Sequence, residues 1–241
     1  MLMLRSSATL KAAHQRLQSG MPLAIFDLDN TLLAGDSDYL WGQHLVARGV
    51  VDGDAYEAAN ARFYADYKAG RLDIDAFLAF ALQPLREHPP DVLRHWRQEF
   101  VEQHIAPRIR KPALDLVARH RTAGDILLVI TATNAFVTAP IVARFGIPHL
   151  IATEPERDGA GFTGRVAGTP AFREGKVSRL MNWLEEHDAS LVGSHFYSDS
   201  INDLPLLERV DHPVAVDPDP LLAAAARHHG WPVISLHGGA T

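Results

Sequence analysis

Asp27-Leu28-Asp29-Asn30-Thr31 follows directly on the apolar run Leu23-Ala24-Ile25-Phe26. The run reads as a buried strand, and two carboxylates sit two residues apart where it ends. Alternate side chains of a strand share a face, so both carboxylates can approach one point as the chain leaves the sheet. Open α/β folds bind their ligands at that carboxyl edge. Two adjacent carboxylates repel unless a cation or a shared proton relieves them. The chemistry open to this pattern is a bound Mg²⁺ ion, an aspartate nucleophile, and a second aspartate as acid and base. Taken alone, the motif is equally an Asx-turn or a helix cap, since Asp, Asn and Thr favour both.

Three further segments follow in order. Ile126-Leu127-Leu128-Val129-Ile130 is five apolar residues in a row, the pattern of an interior parallel strand buried on both faces. It ends in Thr131 and small Ala132, and a hydroxyl with free N–H groups at a strand-to-helix turn suits a phosphate oxygen. Lys176 stands early in a helical segment, Arg173 to His187, whose apolar stripe is Leu180, Trp183 and Leu184. A lone helical Lys is ordinarily a solvated charge; here its place in the order matters. Last, His195-Phe196-Tyr197-Ser198-Asp199 reads as a strand ending in an acid, with Asn202-Asp203 just beyond. Asp199 could ligate a hard cation and Asp203 hold its waters, while Asn202-Asp203 is also an ordinary cap for a helix over Leu204 to Glu208.

Together the four segments resemble the four motifs of the haloacid dehalogenase superfamily, and most closely the branch that contains phosphoserine phosphatase. Asp27, Asp29 and Thr31 match the first motif, Thr131 the second, Lys176 the third, and Asp199, Asn202 and Asp203 the fourth. The resemblance spans residues 22 to about 236. It implies a Mg²⁺-dependent phosphomonoesterase. In it Asp27 attacks phosphorus and Asp29 moves the protons, while Thr131 and Lys176 hold the phosphate. Asp27, Asp29, Asp199 and Asp203 form the metal site, and Asp36, Ala132 and Asn202 meet the substrate. Two departures mark a sub-branch: Thr131-Ala132-Thr133 stands where the branch usually has Ser-Gly-Gly, and Ser198 and Ser200 replace the glycines that flank the fourth-motif Asp. A phosphomutase or phosphotransferase uses the same parts. A dehalogenase lacks the acid at Asp29, and a receiver domain, a non-enzymatic phospho-acceptor, is about half this length.

Composition sets the outer bounds. The 241 residues are 47% hydrophobic and 22% charged, a globular balance. A net charge of −6 gives a nucleic-acid partner no electrostatic support. The absence of Cys excludes disulfides, thiolate catalysis and zinc–cysteine sites. No apolar stretch approaches the ~18 residues of a membrane span. The expected partner is a small phosphorylated metabolite and the expected location the cytoplasm.

The expected fold is α/β: a Rossmann-like parallel sheet with an inserted all-helical cap domain. Residues 1–20 read as an N-terminal extension or a start placed too early, 21–35 and 107–241 as the catalytic core, and 36–106 as the cap. About ninety residues separate the first two motifs, too many for one crossover helix. Tyr56, Ala59, Phe63, Tyr64 and Tyr67 recur at helical spacing, and so do Ile74, Phe77, Leu78 and Leu82 behind a cap at Asp73. The spacing predicts about four helices whose aromatic stripes form the cap's own core. A return helix over 107–123, a helix over 135–145, a strand at 149–152, a hairpin over 156–167, a helix over 220–229 and closing strands at 213–216 and 233–234 complete the pattern.

For the substrate, Ala81 occupies the position where the family resemblance expects an Arg for a substrate carboxylate. Asp36, nine residues after Asp27, matches the family's Glu for a substrate amine. An amine without a carboxylate fits both, and histidinol phosphate is such a compound. Arg62 and Arg86 are the candidates to replace the missing Arg, which would favour phosphoserine.

Overall fold

The computed structural model describes residues 20–238; the extension expected over 1–20 falls, Gly20 apart, outside that range. Eight strands follow in chain order: β1 (Leu23–Phe26), β2 (Ile126–Asn134), β3 (His149–Thr153), β4 (Pro155–Asp158), β5 (Gly161–Val166), β6 (His195–Ser198), β7 (His212–Val216) and β8 (Val233–Ile234). β4 and β5 make a separate antiparallel hairpin. The other six form one sheet in the order β3-β2-β1-β6-β7-β8, every neighbouring pair parallel. The chain winds outward from β1 to β3, then returns beside β1 and runs the other way. β1 and β6 therefore flank the reversal point, and a crevice opens there at the carboxyl ends of the strands.

Strand alternation explains the layers. Leu23 and Ile25 of β1 pack with Leu180 and Leu184 of α8 (Glu174–His187) and Leu222 of α10 (Pro220–His229), and the short α9 (Leu204–Leu207) adds Leu206 and Leu207. Ala24 and Phe26 point the other way, toward Leu116 and Val117 of α6 (Lys111–Ala123) and Ile141 of α7 (Ala135–Arg144). A period of two, buried on both faces, is what a central parallel strand requires.

Between β1 and β2 the chain is helical: α1 (Ser37–Ala47), α2 (Gly53–Lys68), α3 (Ile74–Ala81), α4 (Gln83–Glu87) and α5 (Pro90–Phe100). Asp73 caps α3 as expected, accepting from Ala76 N at 3.1 Å. The fifth helix, α4, was not expected; Pro84 sits in its first turn, where the missing N–H is harmless. The return helix also starts later than 107. Pro107 opens a 3₁₀ turn, Ala106–Arg108, and Pro112 opens α6, so the two prolines split one expected helix into two pieces. The expected strand end at Thr131 moves as well, because β2 runs on to Asn134.

These helices do not bury their apolar faces in a core of their own. Trp41, Leu45, Leu85, Leu93 and Phe100, from α1, α4 and α5, join the same cluster as Phe26 and Val129. α2, the α2–α3 turn and α3 keep a small separate cluster, Phe63 and Leu72 with Ile74, Phe77 and Phe80 packed against them, and it closes on Phe172 from the segment before α8. Gly42 lets α1 and α2 cross closely: a Cβ there would lie 2.7 Å from Asn60 Nδ2.

Candidate active site

All the carboxylates singled out by spacing meet at the reversal point. Asp27 continues β1 by donating its N–H to Tyr197 O at 2.9 Å. Asn30 then takes a left-handed conformation, φ 58°, which Asn tolerates better than most residues. The turn brings the Thr31 hydroxyl oxygen within 3.3 Å of Asp27 Oδ2 and 3.2 Å of Asp199 Oδ1, and Asp199 N donates to it at 3.0 Å. One hydroxyl has one proton, so it satisfies one of those carboxylates at a time.

Lys176 is buried and donates to Asp27 Oδ1 at 2.7 Å and to Asp203 Oδ2 at 2.7 Å. Gly175, just before it, lets the chain turn tightly into the helix, since a Cβ there would collide with the carbonyl oxygen of Pro170. Asp203, expected to hold the waters of a cation, is also paired with the lysine. Both its oxygens lie 2.7 Å from Lys176 Nζ, and Oδ2 also accepts from the Ser198 hydroxyl at 2.7 Å. It anchors the lysine.

Four buried acids thus face one buried base. Burial pushes the Asp27 carboxyl up from 3.8 to about 7, with Lys176 opposing and Asp203 adding to the rise. Asp29 is pushed up to about 6 by burial and by Asp36. Asp199 is held well above the usual range by burial, Asp27 and Asp203. Burial alone would lower the Lys176 ammonium, yet Asp203 and Asp27 overcome it and raise it. Lys176 pairs with Asp27 and Asp203, and among the described residues neither Asp29 nor Asp199 has an ion-pair partner. Among the described residues no three Asp, Glu, His or Cys side chains converge as a metal site of their own. Two carboxylates and a backbone carbonyl are a hard-oxygen set of the size Mg²⁺ takes, since it keeps several waters.

Asp29 is held separately. Ser37 N donates to its Oδ1 at 2.7 Å and the Thr133 hydroxyl to its Oδ2 at 2.8 Å. Sequence reasoning missed Thr133. It is delivered by a bulge: β2 pairs Thr131 with Ala152 and Asn134 with the next residue, Thr153, which leaves Ala132 and Thr133 as extra residues turned to the crevice. Thr131-x-Thr133 repeats on β2 the spacing of Asp27-x-Asp29 on the neighbouring β1, and that repeat is the signal that finds it. Ser198 and Ser200 need no glycine freedom, because neither is among the positive-φ residues.

Over these groups lies a cavity. Its floor is Asp27, Asp29, Thr131, Ala132 and Thr133. Its walls come from α1, α2 and α3, with Asp36, Asp38, Asn60, Tyr64, Tyr67 and Phe77 among them. The aromatic stripe of α2 and α3 therefore lines the site as well as packing. Asn202 is tied elsewhere: its Nδ2 donates to Tyr67 O at 3.0 Å and its Oδ1 accepts from Arg173 Nε at 3.1 Å, while Arg173 also donates to Gly70 O. Asn202, expected against the substrate, fastens the α2–α3 turn over the acids.

The raised carboxyls predict how stability responds to pH when no metal is bound. A folded state that holds protons the unfolded state releases above about 4 gains stability at low pH. That gain is lost as pH rises through the folded values, about 6 and about 7. In chelator, the urea midpoint should fall between pH 5 and 8, and Asp27→Asn should make the fall shallower. A midpoint that rises over this range contradicts the arrangement.

The sequence profile of the haloacid dehalogenase-like hydrolases matches residues 24–208. A histidinol-phosphatase of Neisseria meningitidis serogroup C is 47% identical over 218 residues, 89% of this chain and 98% of that protein. A solved protein of unknown function from Bordetella pertussis Tohama I superposes with a TM-score of 0.84 at 44% identity, covering 90% of this chain and 99% of that one. A phosphoserine phosphatase solved as a phospho-aspartyl intermediate analogue superposes with a TM-score of 0.67, over 90% and 93% of the two chains. At 15% identity that last likeness is one of fold alone. The four motifs, the sheet order and these matches agree: the chain belongs to the haloacid dehalogenase-like hydrolase family and is a phosphatase.

Proposed function

We propose that this phosphatase is Mg²⁺-dependent, works through an aspartyl-phosphate on Asp27, and acts in the cytoplasm on an amino-alcohol phosphate such as histidinol phosphate. Asp27 and Asp199, with the Asp29 backbone carbonyl, would hold the ion, which supplies positive charge to the phosphate oxygens and keeps Asp27 ionised. Asp27 attacks phosphorus and the bond to the substrate oxygen breaks. Asp29 gives its proton to the leaving alkoxide, then takes one from the water that cleaves the aspartyl-phosphate. A carboxyl pushed up to about 6 suits both steps. Lys176 and Thr131 hold the charge on the phosphate oxygens. The helices within 36–106 act as a cap that excludes water and reads the rest of the substrate.

The observation that carries the substrate class is the character of the cavity wall. It presents the carboxylates of Asp36 and Asp38 beside aromatic rings, and no Arg, Lys or His is among the residues that line it. Ala81 is buried away from it. Arg62 is exposed and lies over the ring of Phe63, 4.8 Å from its centre, and Arg86 is exposed beside Gly164. Neither replaces a carboxylate-binding Arg. A substrate carboxylate would meet acids and no cationic side chain in this lining, whereas a substrate amine would meet a partner. The 47% identical relative named as a histidinol-phosphatase supports the same class.

Asp27→Asn keeps the shape and removes the attacking charge, so turnover of p-nitrophenyl phosphate should fall at least ~10³-fold; near-normal turnover of the pure variant would refute the nucleophile. For the substrate, kcat/KM for histidinol phosphate should exceed that for phosphoserine by ~100-fold or more, the scale set by leaving one charge unpaired. A preference for phosphoserine would overturn the choice.

A further inference from the structure

The cavity extends past the reacting carboxylates to the first turn of α1, where Asp36 and Asp38 stand two residues apart. The two are not equivalent. Asp36 caps the helix: its Oδ1 accepts from Asp38 N at 3.0 Å and Tyr39 N at 2.9 Å. Acids in a first turn are ordinarily accounted for by such capping and by the helix dipole. Asp38 caps nothing, and among the described residues no side chain or backbone N–H donates to its carboxylate. Burial, with Asp36 and Asp29 nearby, pushes its carboxyl well up. A carboxylate so placed is costly until a cation meets it.

Asp36 feels the charge of Asp27, whereas Asp38 feels Asp36 and Asp29. The rings of Tyr39 and Tyr64, 5.1 Å apart, and buried Asn60 line the same cavity, and Lys68 of the same helix as Tyr64 lies with its Nζ 5.6 Å from the centre of that ring. Asn60 donates from Nδ2 to Tyr39 O at 3.0 Å, and no donor among the described residues reaches its side-chain oxygen. An anion, an unfilled amide oxygen and two aromatic faces form a receptor for a flat cationic group with N–H donors.

We propose that Asp38 is a specificity-determining residue: with Asn60 and the rings of Tyr39 and Tyr64 it receives an imidazolium, or a similar aromatic cation, at the end of the substrate remote from the phosphate. The proposal rests on the reading of this phosphatase as acting on an amino-alcohol phosphate, and gives the two wall carboxylates separate tasks. Asp36 faces the amine close to the ester, and Asp38 faces the ring beyond it. A merely helix-stabilising Asp38 would leave substrate choice untouched.

The test compares histidinol phosphate with alaninol phosphate, the same amino-alcohol ester without the imidazole. The wild type should favour histidinol phosphate. In Asp38→Asn the ratio of the two kcat/KM values should fall ~10- to 100-fold, the scale of one charged hydrogen bond, mainly through KM. Asp38→Glu should keep more of the preference than Asp38→Asn. The wild type alone gives a second readout that needs no variant to fold: histidinol should inhibit at least ~10-fold more strongly than alaninol. An unchanged ratio in Asp38→Asn, or equal inhibition by the two alcohols, overturns the assignment of Asp38. Failure of the wild type to hydrolyse either ester, while it still hydrolyses p-nitrophenyl phosphate, would instead sink the substrate class, and this inference with it.

Discussion

The structure turns on an imbalance of buried charge. Asp27, Asp29, Asp199 and Asp203 are all at least nine-tenths buried, and Lys176 is the one buried base set among them. The lysine is committed to Asp27 and Asp203. Thr31 bridges Asp27 and Asp199 with a single proton, and Asp29 has only a hydroxyl and an amide N–H. Buried carboxylates without counter-charge are expensive, and the arrangement persists because the rest of the fold fixes it. In the proposed reading a divalent cation would relieve this imbalance.

The architecture follows from holding these groups in place. A reversal in sheet winding opens the crevice beside β1. The bulge in β2 turns Thr133 toward Asp29, and Gly175 permits the tight turn from Pro170 into α8, whose Lys176 reaches Asp27. The helical segment is anchored twice, by Trp41, Leu93 and Phe100 in the main core and by Asn202 and Arg173 on the α2–α3 turn. Arg173 takes φ 49° and ψ −121° to do this, an unusual backbone for a residue with a side chain, and such geometry gathers at functional sites. Tyr67 is brought over the acids by the same turn, and burial with Asp199 and Asp27 nearby holds its hydroxyl protonated.

The parts legible in the sequence are those set by local periodicity and by side-chain chemistry at strand ends. Asp27 and Asp29 after a four-residue apolar run, Thr131 after a longer one, and Lys176 early in its helix could be read because a parallel sheet delivers strand ends to one edge. The helix over Pro220–His229 was legible from its proline start and glycine end. What stayed hidden depends on contacts between distant segments. The pairing of Asp203 with Lys176 through both its oxygens could not be read from spacing. Asn202 looks like a substrate contact until Tyr67 O and Arg173 are seen to occupy it. The aromatic stripe of α2 and α3 has the same spacing whether it faces a core or a cavity, and here it does both. The bulge at Ala132-Thr133 carries no turn residue, and the spacing Thr131-x-Thr133 was its one local trace.

The central claim is that the acids around Lys176 await a cation. It can be met directly by titrating Mg²⁺ into metal-free protein in a calorimeter near pH 7, in two buffers of different ionisation enthalpy. Asp27 is pushed up to about 7 and Asp199 is raised too, so binding must displace protons. The account predicts one saturable site whose heat depends on the buffer in the sense of proton release. Absence of saturable binding, or binding that releases no proton, would contradict it.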